Sequence, residues 1–425
     1  MKIKGENKPL KGEITVPGDK SISHRSIMLG AISNGETIVS NFLMGQDCIS
    51  TINCFRKLGV NIEIKEERII IDGVGLNGLK EATTSLDVGN SGTTIRLISG
   101  ILSGQNFSTT ITGDDSIKKR PMKRIMKPLS LMGGNITGID NNYPPLKINP
   151  VDSIKGITYH QPIASAQVKS AILLAGLYAN EETKVVQPSL SRDHTERMLK
   201  HFGGDINTSG KMVTLKPKKI LKGKEVLVPG DISSAAFFIV GGLITKGSQL
   251  TIRDVGLNET RIGIIEVLKN MGGYIKVENK RLVNNEPIGD ITVEYSELKG
   301  VAIKGDIIPK LIDEIPIIAV AASVAKGTTI IKDAEELKVK ESNRLDAMVK
   351  ELKKMGADIK GLDDGMIISG VDKLKGAKVE TYKDHRIAMS LAIASSIADG
   401  ESEIDNIDSI DISFPGFFDL LNKIK

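Results

Sequence analysis

The hydrophobic pattern of this chain repeats. Segments at 54–60, 126–134, 198–204, 267–273 and 352–357 carry apolar residues at helical spacing, close on a glycine and pass into a strand. Their glycines, at 59, 133, 203, 272 and 356, are 74, 70, 69 and 84 residues apart. A glycine in that place predicts the left-handed residue that closes a helix. A sixth copy is truncated at 417–421. Ahead of most copies come an Ala/Ile/Leu-rich helix, a Gly or Asn turn and a short Thr/Ile/Val strand, as at 34–39, 246–252 and 326–331. Each unit therefore predicts strands plus two helices. The period exceeds that of ordinary solenoid repeats and points to compact α/β units around shared cores.

Six units divide into two domains of three. The turn Val16-Pro17-Gly18-Asp19 is echoed at Val228-Pro229-Gly230-Asp231. Either turn alone is an ordinary Pro-Gly turn. As a pair they predict two chain crossings between a discontinuous domain, 1–19 plus 231–425, and an inserted domain, 20–230. Such crossings make a hinge, and the active site is expected in the cleft it closes.

Composition narrows the function classes. A length of 425 residues sets an expectation of about two or three domains. The net charge of +5 suits an acidic small molecule, while the absence of Trp and an aromatic content of 4% argue against a nucleic-acid surface. No apolar run reaches the roughly 18 residues of a membrane span, and residues 1–5 lack the apolar core of a signal peptide. Cys48 and Cys54 are too few for a disulfide framework and have no partner at metal spacing. A cytoplasmic, monomeric protein without metal or cofactor is expected.

The candidate chemistry lies at helix starts. Pro17-Gly18-Asp19 delivers Lys20, Ser21 and Arg25 to the first turns of a helix, where cations oppose the macrodipole and anions are favoured. Asn90-Ser91-Gly92-Thr93-Thr94-Ile95-Arg96 follows a strand and opens a helix, with small residues that let a ligand approach the backbone. Pro121 at a first helical position would make Arg120 an N-cap, an unusual residue there. Ser165-Ala166-Gln167 opens another helix, and Ser191 to Glu196 has a capping-box pattern in which Arg192 stands out. Lys340 to Leu345 reads as the start of the fifth repeat's helix, with Lys340 and Arg344 on one face and Glu341 beside both. Asp384 can cap a helix whose first turn carries Arg386. Asp313 and Glu314 precede an apolar helix, where capping explains one carboxylate and a base is the sharper reading of the other. Of the histidines only His385 sits in such a cluster; His24 is a weaker candidate, and His160, His194 and His201 read as structural or exposed.

The segments 18–25, 89–96, 120–122, 165–167, 340–345 and 384–389, in this order and spanning nearly the whole chain, resemble the 3-phosphoshikimate 1-carboxyvinyltransferase (5-enolpyruvylshikimate-3-phosphate synthase) family of enolpyruvyl transferases. The resemblance implies a two-domain inside-out α/β barrel of six βαβαββ repeats. It also implies attack of the 5-hydroxyl of shikimate 3-phosphate on C2 of phosphoenolpyruvate, protonation at C3, and loss of phosphate from a tetrahedral intermediate. By resemblance Lys20, Ser21, Arg25, Ser165, Gln167, Asp313 and Lys340 would hold shikimate 3-phosphate. Lys20, Asn90, Gly92, Arg120, Gln167, Arg344 and Arg386 would hold phosphoenolpyruvate. Asp313 would take the 5-hydroxyl proton, and Glu341 with Lys20 would move protons at C3. Two departures stand out. Ile412 occupies a place where some members carry Lys, and Ala166 replaces a second Ser, leaving Arg192 as the substitute phosphate grip. The sister UDP-N-acetylglucosamine 1-carboxyvinyltransferase would show Lys-Asn after the first turn and usually a Cys near 115; this chain has Lys20-Ser21 and Asp114-Asp115. A non-catalytic anion-binding repeat protein would give no reason for Glu341 and Asp313.

Overall fold

In a computed structural model, the chain is described at residues 1–66, 68–217, 220–411 and 413–425. Ile412 lies outside the described residues. Two units emerge. One comprises Met1–Pro17, Pro229–Arg281 and Pro287–Lys425; the other comprises Gly18–Val228 and Leu282–Glu286. No sequence feature announced the five-residue piece that joins the second unit.

The strands form five four-stranded sheets and one three-stranded sheet among the described residues. In the sheet of Leu86–Asp87, Thr109–Thr112, Tyr143–Asn149 and Asn135–Ile139, the first pair is parallel and the next two pairs are antiparallel. The same order recurs with Thr158–His160, Thr183–Val186, Met212–Lys216 and Asp205–Ser209, and with Ala302–Ile303, Thr328–Ile331, Gly365–Ser369 and Asp358–Leu362. In a fourth sheet the parallel outer place beside Asn34–Ser40 is taken by Glu225–Leu227 from the far end of that unit. One helix makes the crossover between the parallel strands, a second follows the middle strand, and only the last two strands close directly as a hairpin, which is why each unit of pattern carries two helices.

The five closing glycines at 59, 133, 203, 272 and 356 have φ of +87°, +92°, +87°, +91° and +83°, the left-handed conformation expected of them. The helices are of two kinds. Lys20–Ala31, Gly92–Leu102 and Ala166–Gly176 in the second unit are buried along almost their whole length, as are Ile232–Ile244, Ile315–Ser323 and His385–Ile397 in the first. Beyond the polar groups near their N-termini their sequences are apolar or small all round, so no face there asks for water. Gly100 shows how close they come, since a Cβ there would meet Ala171 O at 2.2 Å. Helices such as Gln46–Lys57 and Arg344–Lys354 bury one face only. Each unit has its own hydrophobic core. Among the described residues no helix is long and apolar enough to cross a membrane.

Candidate active site

In the second unit the starts of the three buried helices carry the candidate groups. Asp19 caps Lys20–Ala31 by accepting from Ile22 N at 2.9 Å. Lys20 Nζ, at the first helical position, pairs with Asp47 Oδ2 at 3.1 Å. Arg25 is almost wholly buried and donates from Nε to Thr195 Oγ1 at 2.7 Å, from Nη2 to Ser170 Oγ at 2.8 Å and from Nη1 to Ser21 O at 2.9 Å. Burial pulls its pKa down to about 10, against the pull of Glu196 and Asp19. Arg192 lies half-buried just before the helix His194–His201.

Ser91 caps Gly92–Leu102, and Ser165 caps Ala166–Gly176 through Val168 N at 3.4 Å. Gly92 faces two guanidinium groups: a Cβ there would meet Arg120 Nη1 at 2.9 Å and Arg96 Nη1 at 3.3 Å. Arg96 Nη1 in turn donates to Gln167 Oε1 at 2.5 Å, and Gln167 Nε2 donates to Thr93 Oγ1 at 3.2 Å. Gly92, Arg96, Arg120 and Gln167 therefore form one cluster, with Asn90 in the turn just ahead. Beneath it runs a buried hydrogen-bonded chain. His24 Nδ1 meets Thr51 Oγ1 at 2.7 Å, Thr51 meets Thr94 Oγ1 at 2.7 Å, and Thr94 donates to the capping Ser91 Oγ at 2.8 Å. Burial pushes the His24 pKa down to about 3, keeping the imidazole neutral.

Arg120 is not an N-cap. The helix after it is Lys123–Leu131, with Met122 in the cap position and no side-chain cap of its own. Asn142 does the work instead: its backbone oxygen accepts from Met122 N at 2.6 Å and its Oδ1 from Lys123 N at 3.0 Å. The capping box expected at 191–196 is also absent. Asp193 makes no side-chain cap and takes Arg197 Nε at 2.8 Å, while Glu196 pairs with the buried Lys169 at 2.6 Å.

In the first unit the centre is Arg344. Its guanidinium is 2% exposed and binds Asp384 Oδ2 from Nε at 2.8 Å, Asp313 Oδ1 from Nη1 at 3.1 Å and Glu341 Oε2 from Nη2 at 2.6 Å. Burial works against its charge, but Asp384, Glu341 and Asp313 outweigh that and raise its proton affinity. Burial likewise opposes ionisation of Asp384, yet Arg344 holds its pKa below the usual carboxylate range. Asp384 also accepts from Arg386 N at 2.9 Å as the cap of His385–Ile397. Lys340 Nζ lies 3.7 Å from Asp313 Oδ1, and Arg386 Nη1 donates to Asp313 O at 3.1 Å. Lys340 stands before the helix rather than on it, since the helix begins at Arg344. The two cations are thus not repelling neighbours on one helical face; both lean on Asp313. Neither Asp313 nor Glu314 caps the apolar helix Ile315–Ser323: Glu314 is buried and accepts from Ser233 Oγ, which itself accepts from Arg261 Nη2 at 2.7 Å.

Each unit thus presents helix N-termini, fixed cations and a few partly exposed carboxylates, an arrangement made for anionic ligands. Among the described residues no group of three or more His, Cys, Asp or Glu is placed to hold a metal. The family model for EPSP synthase (3-phosphoshikimate 1-carboxyvinyltransferase) matches residues 4–421. The chain belongs to the EPSP synthase family. It is 57% identical over 418 residues to the 3-phosphoshikimate 1-carboxyvinyltransferase of Bacillus cytotoxicus, covering 98% of both chains. It is 56% identical over 409 residues to that of a Thermoanaerobacter species, covering 96% of both. A solved EPSP synthase from Acinetobacter baumannii superposes with a TM-score of 0.90 at 47% identity, over 100% of this chain and 97% of that one. As a member of the EPSP synthase family the chain is an enolpyruvyl transferase of aromatic biosynthesis.

In this family member the local sequence marks the anchors but not their partners. Arg96 stands four residues after Gly92, on the same helical face, and that spacing is the signal by which it could be found. Asp384 is legible as a cap, but its pairing with Arg344 spans 40 residues. Asp47, Thr195, Ser170 and Lys169 had no local signal, because each contact joins separate elements.

Proposed function

We propose that the chain transfers the enolpyruvyl group of phosphoenolpyruvate to the 5-hydroxyl of shikimate 3-phosphate. Lys20, Ser21, Arg25, Ser165, Gln167, Arg192, Asp313 and Lys340 grip shikimate 3-phosphate. Lys20, Asn90, Gly92, Arg120, Gln167, Arg344 and Arg386 hold phosphoenolpyruvate. Asp313 takes the 5-hydroxyl proton as O5 bonds to C2, while C3 gains a proton from Glu341, assisted by Lys20. In the second half C3 returns a proton and the C2–O bond to phosphate breaks, regenerating the double bond. The observation that carries this reading is one buried guanidinium holding two carboxylates from separate nitrogens, Asp313 at 3.1 Å and Glu341 at 2.6 Å. Two fixed, differently exposed carboxylates suit two distinct proton transfers.

The finer architecture belongs to the same proposal: an inside-out α/β barrel of six βαβαββ repeats, three to a unit. The recurring strand order and the wholly buried helices support it. A monomer in the cytoplasm completes it; the two cysteines, buried as thiols, suit a reducing compartment. The test is release of inorganic phosphate on mixing protein with both substrates. Release with shikimate 3-phosphate and none with UDP-N-acetylglucosamine is expected; the reverse preference would reject the assignment. Gel filtration at micromolar concentration checks the monomer.

A further inference from the structure

The helix His194–His201 starts without a side-chain cap, and its first turn is held by distant partners instead. Two of its side chains face the proposed substrate grip. Thr195 Oγ1 accepts from Arg25 Nε at 2.7 Å and shares a 2.6 Å hydrogen bond with Ser170, while Glu196 pairs with buried Lys169. The other two face the segment Leu282–Glu286. His194 Nδ1 lies 2.8 Å from Glu286 Oε1, with both side chains at most 3% exposed. Arg197 Nη1 donates to Asn285 O at 2.9 Å, and Arg197 Nε lies 3.9 Å from Glu286 Oε2. Asn284 Nδ2 anchors the segment further on Leu227 O at 2.8 Å.

This segment belongs to the second unit although the residues on either side of it belong to the first. A carboxylate carried into a buried place loses its hydration, and only well-placed partners offset that loss. Here the partners are the opening residues of a helix whose Thr195 accepts from Arg25 Nε.

We propose that Glu286 is a positioning residue for the binding of shikimate 3-phosphate. By fixing His194 and Arg197 it sets the first turn of the helix, Thr195 within that turn, and through Thr195 the direction of the Arg25 guanidinium. The inference rests on the assignment of Arg25 to that substrate.

The experiment compares the wild type with Glu286→Ala, Glu286→Gln and Arg25→Ala, measuring KM for each substrate separately, kcat and the melting temperature. A small displacement of a binding group is enough to be felt, so KM for shikimate 3-phosphate rises roughly 10-fold in Glu286→Ala. It rises less in Glu286→Gln, which keeps a hydrogen bond to His194, and KM for phosphoenolpyruvate stays within about twofold in both. Equal rises in both KM values, or an unchanged KM for shikimate 3-phosphate in a folded Glu286→Ala, overturn the proposal. If Glu286→Ala does not fold, Glu286→Gln decides by the same split: a selective rise supports the role and its absence removes it. An unchanged KM for shikimate 3-phosphate in Arg25→Ala removes the underlying assignment. A raised KM there, beside unaltered Glu286 variants, removes the role of Glu286 alone.

Discussion

Arg344 divides its guanidinium among three carboxylates, and the division is unequal. Asp384 is fully buried against it, so that pair is structural, whereas Glu341 keeps 28% of its side chain exposed and can exchange a proton. Glu341→Ala therefore leaves Arg344 neutralised by Asp384 and Asp313. Turnover is expected to fall roughly 100-fold or more with little change in the dissociation constant of shikimate 3-phosphate, as steady-state kinetics and calorimetric titration can check. Gly92 gives a second test at this scale. An alanine Cβ would press on the far end of the flexible Arg120 side chain at 2.9 Å. The fold should tolerate this, while KM for phosphoenolpyruvate rises roughly 10-fold and KM for shikimate 3-phosphate stays within about twofold.

The helix starts show which features can be read from sequence and which cannot. Asp19, Ser165 and Asp384 cap helices with contacts two or three residues away, so a local pattern suffices to find them. Met122 is served by Asn142, and no local rule could have found that partner or prevented Arg120 from being taken as the cap. The closing glycines were legible because a left-handed residue has few alternatives; the Arg96–Gln167 bond was not, because it joins two helices across 71 residues. Between such elements sits His24, neutral when folded down to about pH 3 but binding a proton near its ordinary 6.5 when unfolded. Acid therefore favours the unfolded chain, and the contribution of this site to stability is complete above 6.5 and is lost as pH falls towards 3. The slope from this one group is up to about 1.4 kcal/mol per pH unit. Urea unfolding of His24→Asn between pH 7 and 4 should be flatter by about that amount.

At the scale of the molecule, two separate cores stabilise the two units. Phe55 is fully buried in the second, and Phe238 is fully buried in the first, packed 5.8 Å from Phe414 and 5.5 Å from Phe417. Truncating either to Ala should cost about 3–5 kcal/mol. Scanning calorimetry is expected to show Phe55→Ala and Phe238→Ala each lowering a different component of the melting profile. A single component shifted equally by both would contradict independent cores.

The strand pairings also set an order of assembly during synthesis. Lys11 at the chain's beginning pairs with Gln249, and Lys2 pairs with Glu403, almost at its end. Gly18–Val228 lies wholly between these partners. Emerging from the ribosome, that inserted stretch can collapse while the opening strands still wait for theirs. The strand Lys2–Lys4 is thus among the last to find its partner, and a nascent chain halted after Glu286 has emerged would carry the second unit ordered while that strand is still unpaired.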